Sequence, residues 1–100
     1  MTQAHFANLI DVVSEARRLL SLDGNDFFWS SWPDRDGALQ EMDEIIGHLN
    51  DGSIPDGLSV LFAPTGALQD TSISSGWDEE FIALARRFDA ALTRAKRTTP

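Results

Sequence analysis

Three stretches of the chain repeat their hydrophobic residues at the spacing of an amphipathic helix. They span residues 3–22, 36–50 and 77–97. Apolar residues recur there every three or four positions, and charged residues fill the opposite face. The stripe of the first stretch consists of Leu9, Val13, Ala16 and Leu20. Ser75 is the predicted N-cap of the third helix, with Asp78 three positions further on as in a capping box. The pattern therefore predicts three helices, each with one buried and one solvated side.

Three shorter stretches predict strands. Residues 27–32 hold four aromatic side chains, which favour extended structure. Residues 58–63 alternate, with Leu58, Val60 and Phe62 pointing to one side. Residues 67–73 form the returning strand after a three-residue hairpin loop, residues 64–66, which requires Gly66 in the left-handed region. Because a two-stranded hairpin is rarely stable alone, either the aromatic segment joins it or two chains pair their sheet edges.

The order of elements is α-β-α-β-β-α, which predicts an α+β fold. The three amphipathic helices are expected to pack on a small antiparallel sheet whose first strand is short. A chain of 100 residues has the size of one domain, so residues 1–100 are predicted to form a single α+β domain. With 42% hydrophobic and 24% charged residues, the composition is that of a globular protein.

Charge is unevenly distributed along the chain, whose formal net charge is −8. Residues 19–85 contain thirteen acidic residues and one base, whereas residues 86–100 contain five bases and one acid. The acidic middle should repel nucleic-acid phosphates and anionic lipid. It is either a solvated, solubilising surface or a face that binds a basic protein partner. We therefore expect no nucleic-acid and no membrane partner.

The residues that support catalysis or metal binding are sparse. Cysteine is absent, and neither His5 nor His48 has a second histidine three or four positions away. The chain contains no phosphate-binding glycine motif and no Gly-x-Ser-x-Gly turn. We predict no catalytic residue, no metal ligand and no cofactor. With no secretory signal and no long apolar run, the expected location is cytoplasmic.

The aromatic residues supply the candidate interaction surface. Tryptophan is enriched at the centres of protein interfaces, and here an aromatic cluster stands beside an acidic turn. The predicted surface comprises Phe28, Trp29, Trp32, Asp34 and Asp36. Packing of the same aromatic rings into the core is the alternative interpretation.

These patterns predict a small acidic, non-enzymatic protein-interaction module, such as a regulator, an inhibitor or an immunity-type partner. A DNA-mimic inhibitor is one variant of that hypothesis. The alternative is a homo-oligomeric small-molecule-binding domain, or a minor enzyme with a tryptophan-lined pocket and a carboxylate such as Asp26 or Asp34. A basic protein and a second copy of the chain are the two partners considered.

Overall fold

Helices make up all the regular structure in the described part of the chain, a computed structural model covering residues 2–27, 32–63 and 66–98. In chain order they are α1 (Thr2–Leu20), α2 (Arg35–Asn50), α3 (Leu58–Leu61), α4 (Ala67–Ser75) and α5 (Asp78–Thr98). Helix α1 packs against both α2 and α5, and α4 packs against α5. None of the helices in these ranges combines the length and apolarity needed to cross a membrane.

The three predicted amphipathic helices are present as α1, α2 and α5. Their buried faces form one core that includes Leu9, Val13, Met42 and Leu49. Helix α5 begins at Asp78 rather than 77, and Ser75 ends α4. Ser75 is therefore not the N-cap that the spacing to Asp78 suggested.

The predicted α+β fold is wrong, and the first error lies at residues 58–63. Leu58 is buried, and so are Leu61 and Phe62, three and four positions after it at the end of α3. Val60 is 67% exposed. A strand would have placed Val60 on the same side as Leu58. A short apolar run is compatible with either period, and contact with α5 decides between them. There the Phe62 ring stacks on Phe88, with ring centroids 4.2 Å apart.

The second predicted hairpin strand, residues 67–73, lies within helix α4. Leu68, Thr71 and Ser72 are buried at helical spacing, whereas Ile73 is 58% exposed. Gly66 precedes this helix in an extended conformation instead of the left-handed one that the hairpin loop required. A β-carbon at Gly66 would collide with the backbone carbonyl oxygens of residues 60 and 61, so only glycine fits this close approach.

The aromatic segment 27–32 forms no strand at either of its described ends. Phe27 and Trp32 are in irregular structure, and residues 28–31 lie outside the described residues. Trp32 is only 6% exposed and belongs to the core. The described chain contains neither the predicted hairpin nor a third strand. It therefore has no sheet edge through which two chains would pair.

A polar junction joins the end of α1 to the turn between α4 and α5. The Asn25 side-chain amide donates hydrogen bonds to the carbonyl oxygens of Leu19 and Leu20, at 2.8 and 3.0 Å. Its carbonyl oxygen accepts one from the Trp77 indole nitrogen at 2.7 Å. The turn itself is closed by Gly76, with φ 85°, and by a hydrogen bond from the Trp77 amide to the Ser72 carbonyl. One asparagine thus caps α1 and holds Trp77.

Candidate functional site

The predicted aromatic and acidic surface does not form one exposed patch in the described residues. Trp32 is buried, and its indole nitrogen lies 3.4 Å from a carboxylate oxygen of Glu41. Asp36 is exposed in the first turn of α2. Phe28 and Trp29 lie outside the described residues. Within the described chain, the predicted surface therefore offers carboxylates to solvent and keeps its one described tryptophan inside.

Asp34 has a structural role as the N-cap of α2. Its side-chain oxygen accepts a hydrogen bond from the Gly37 amide at 2.9 Å, and its backbone is extended, as an N-cap residue requires. This bond satisfies one of the amides that the first turn of a helix leaves unpaired. The acidic turn predicted next to the aromatic segment is therefore explained in part by the start of α2.

Replacing Asp34 by alanine is expected to lower the free energy of unfolding by about 0.5–2 kcal/mol, because the Gly37 amide loses its acceptor. Urea unfolding followed by circular dichroism measures the change. Asp36→Ala is the matched control, since it removes the same charge from the same turn without removing the cap. Equal losses from the two variants would show that charge near the helix end, and not the cap, is what stabilises α2.

An acidic cleft of about 310 Å³ lies between α2 and the turn that leads into α3. Glu41, Glu44 and His48 line it from α2, and Asp56 faces them from the turn. All four side chains belong to exposed residues. In the described chain none of the three carboxylates is paired with a cation; Glu44 accepts only a 3.3 Å hydrogen bond from Gln40. The cleft is therefore a concentration of uncompensated negative charge.

The floor of the acidic cleft is apolar. Ile45 of α2 meets Leu58 and Leu61 of α3 there, and each is less than 9% exposed. A long basic side chain combines an apolar stem with a charged head, so it can contact such a floor while its cation meets the carboxylates at the rim.

Sequence reasoning placed Glu41 and Glu44 on a solvated helix face and did not identify the cleft. The spacing of Glu41, Glu44 and His48 puts them along one side of α2, and that signal was available in the sequence. The sequence gives no corresponding signal for the position of Asp56. Asp56 faces α2 because α3 folds back as a helical turn, where a strand was predicted.

Arginines of α1 compensate other carboxylates. Arg17 bonds to Asp43 across the α1–α2 contact, with Nε and Oδ1 2.6 Å apart, and Arg18 pairs with Glu15 within α1. The hydrogen bond from Arg17 lowers the pKa of the Asp43 carboxyl and raises that of the arginine. Asp43 is thus neutralised by the fold. Its neighbours in the acidic cleft are not.

Among the described residues, no group of three or more histidine, aspartate or glutamate side chains is arranged to hold a metal ion. This applies to the acidic cleft, although it contains three carboxylates and His48. The side chain of His5 lies outside the described residues.

Two wider grooves flank α5. One, of about 970 Å³, separates α5 from α1 and is lined by Arg86, Arg87 and Arg94 as well as by Asp11 and Asp89. The other, of about 460 Å³, separates α5 from α3. Neither Trp32 nor Trp77 lines these grooves or the acidic cleft. The two described tryptophans therefore give no support to a tryptophan-lined ligand pocket.

The geometry of the described residues thus offers one concave surface of a single charge sign, the acidic cleft. Its components come from two helices and one turn, and they are brought together only by the fold. No known relative adds to this description. No protein-family model matches the chain, and neither a curated protein nor a solved structure shows significant similarity to it.

Proposed function

We propose that this protein is a non-enzymatic interaction domain that binds a basic segment of a partner protein at the acidic cleft. The observation that carries the proposal is the placement of Glu41, Glu44 and Asp56 around one apolar-floored cleft, unpaired with any cation in the described chain. Carboxylates in this arrangement are suited to arginine and lysine side chains. The acidic middle of the sequence supports the same partner class.

The surrounding charge strengthens the attraction. Asp36 and Asp51 are exposed near the two ends of α2. The arginines of this region already have carboxylate partners, Arg17 with Asp43 and Arg35 with Asp23. A field of one sign speeds the encounter with a cationic partner and weakens as salt is added. Binding at the cleft should therefore be fast and strongly dependent on ionic strength.

Neutralising the acidic cleft is expected to weaken binding of an arginine-rich peptide about tenfold or more, because three charge-assisted contacts are removed together. The variant is Glu41→Gln/Glu44→Gln/Asp56→Asn, and the probe is a fluorescently labelled deca-arginine peptide. Fluorescence anisotropy at about 50 and 200 mM salt measures the dissociation constant. The same variants then serve as baits in pull-downs from lysate of the source organism.

The matched control neutralises three exposed acids elsewhere that have no ion-pair partner in the described chain, as Asp11→Asn/Asp78→Asn/Glu80→Gln. It changes the net charge by the same amount and is expected to weaken binding of the peptide by no more than about twofold. Equal weakening by both variants would reduce the effect to net charge and remove the cleft from the proposal. A lysate protein retained by the wild type and the control, but lost from the cleft variant, would identify the partner.

A further inference from the structure

The exposed side of α5 carries a regular seam of six residues, spaced alternately three and four positions apart. All six are exposed, and they lie opposite the buried stripe of the helix. This spacing places the six side chains along one line of the helix surface. We define the α5 seam as Glu79, Ile82, Arg86, Asp89, Thr93 and Lys96.

The α5 seam borders apolar surface that a single copy leaves open. Ile82 is 47% exposed and lines the groove of about 460 Å³ between α3 and α5. The same groove is walled by Phe62, Phe81 and Ala85. On α3, Val60 is 67% exposed. Apolar surface therefore lies beside the charged positions of the α5 seam.

The charges of the α5 seam are complementary to themselves when the helix is reversed. Glu79 stands at its start and Lys96 at its end, with Arg86 and Asp89 on either side of the centre. Within the described residues, neither Arg86 nor Asp89 forms an ion pair. An antiparallel copy of the same helix would supply the missing partner to each of these four side chains.

We propose that the α5 seam is a two-fold interface with a second copy of this chain, in which the two α5 helices run antiparallel. A symmetry axis midway between residues 87 and 88 brings Arg86 of one copy opposite Asp89 of the other, twice. The same axis brings Glu79 opposite Lys96 and Ile82 opposite Thr93.

A second copy fits this surface better than an unrelated partner because a two-fold interface must be complementary to itself. A single two-fold axis between residues 87 and 88 pairs Arg86 with Asp89, Glu79 with Lys96 and Ile82 with Thr93, so the α5 seam is complementary to itself. The acidic cleft lies between α2 and α3 and shares no residue with the seam. The two proposals therefore depend on different residues, and the failure of either does not remove the other.

Exchanging the charges of Arg86 and Asp89 tests whether the α5 seam forms the dimer interface. Arg86→Asp places aspartate opposite Asp89, and Asp89→Arg places arginine opposite Arg86, so each single variant is expected to raise the dimer dissociation constant about tenfold or more. The double variant Arg86→Asp/Asp89→Arg restores both pairs and the dimer. A 1:1 mixture of the two single variants forms a heterodimer, because one chain then presents two acids and the other two bases.

Sedimentation velocity of the full chain between about 1 and 100 μM, at low and high salt, distinguishes these states. The wild type should reach twice the 11.0 kDa mass of one chain. Arg87→Asp, which changes the adjacent exposed arginine outside the seam, should dimerise as the wild type does. Circular dichroism verifies that each variant is folded. A wild type that stays at the mass of one chain throughout, or single variants that do not pair when mixed, would overturn the proposal.

Discussion

Replacing Trp77 by alanine is expected to lower the free energy of unfolding by about 3–5 kcal/mol. The side chain is only 6% exposed, so its removal leaves a cavity beside the turn between α4 and α5. It also removes the 2.7 Å hydrogen bond to Asn25, whose amide caps the end of α1. A domain of this size is stable by about 5–15 kcal/mol, so the loss is a large part of the total. Urea unfolding followed by circular dichroism measures it.

Trp77→Phe separates the two contributions. Phenylalanine retains most of the buried ring but cannot donate to Asn25, so an intermediate loss of about 1–3 kcal/mol is expected from the unpaired amide oxygen. Combining Trp77→Phe with Asn25→Ala in a double-mutant cycle measures the coupling between the two residues. A loss below about 1 kcal/mol for Trp77→Ala would mean that the junction does not hold α1 to α5.

The long helices could be predicted because each is decided by its own sequence. The stripe of α1 continues through five turns, and α5 has acids at its start and bases in its second half. With so many positions in agreement, only the helical period fits. Their ends were predicted to within two residues, apart from the false N-cap at Ser75. That serine accepts a hydrogen bond from the Asp26 amide, 49 positions away, a contact that local spacing does not reveal.

The short elements could not be predicted because their local patterns allow both periods. Leu58, Val60 and Phe62 alternate as in a strand, yet Leu58, Leu61 and Phe62 also fit one helical turn. The choice depends on α5, where Phe88 gives Phe62 a stacking partner. Because residues 58–62 could be assigned to a strand or a helix, the acidic cleft could not be predicted either. Its α2 side is visible in the sequence, but Asp56 meets it only when residues 58–61 turn as a helix.

Replacing Trp32 by alanine is likewise expected to lower the free energy of unfolding by about 3–5 kcal/mol. Trp32 is 6% exposed and lies just before Pro33 and the Asp34 cap, so its ring fixes the entry of the chain into α2. The sequence alone left two roles for this residue, an exposed contact for a partner or a component of the core. Thermal and urea unfolding of the variant, compared with its binding of the deca-arginine peptide, separate the two.

Trp32→Phe is the matched variant, because it retains an aromatic ring in the core and removes the 3.4 Å contact with Glu41. If Trp32 supports the fold, Trp32→Phe should be much more stable than Trp32→Ala and should bind the peptide with unchanged affinity. A long hydrogen bond to an exposed carboxylate contributes little, and the carboxylate itself remains in the acidic cleft. If Trp32→Ala instead stays folded and loses binding, the tryptophan is a contact residue. The recognition surface would then extend from the acidic cleft to the start of α2.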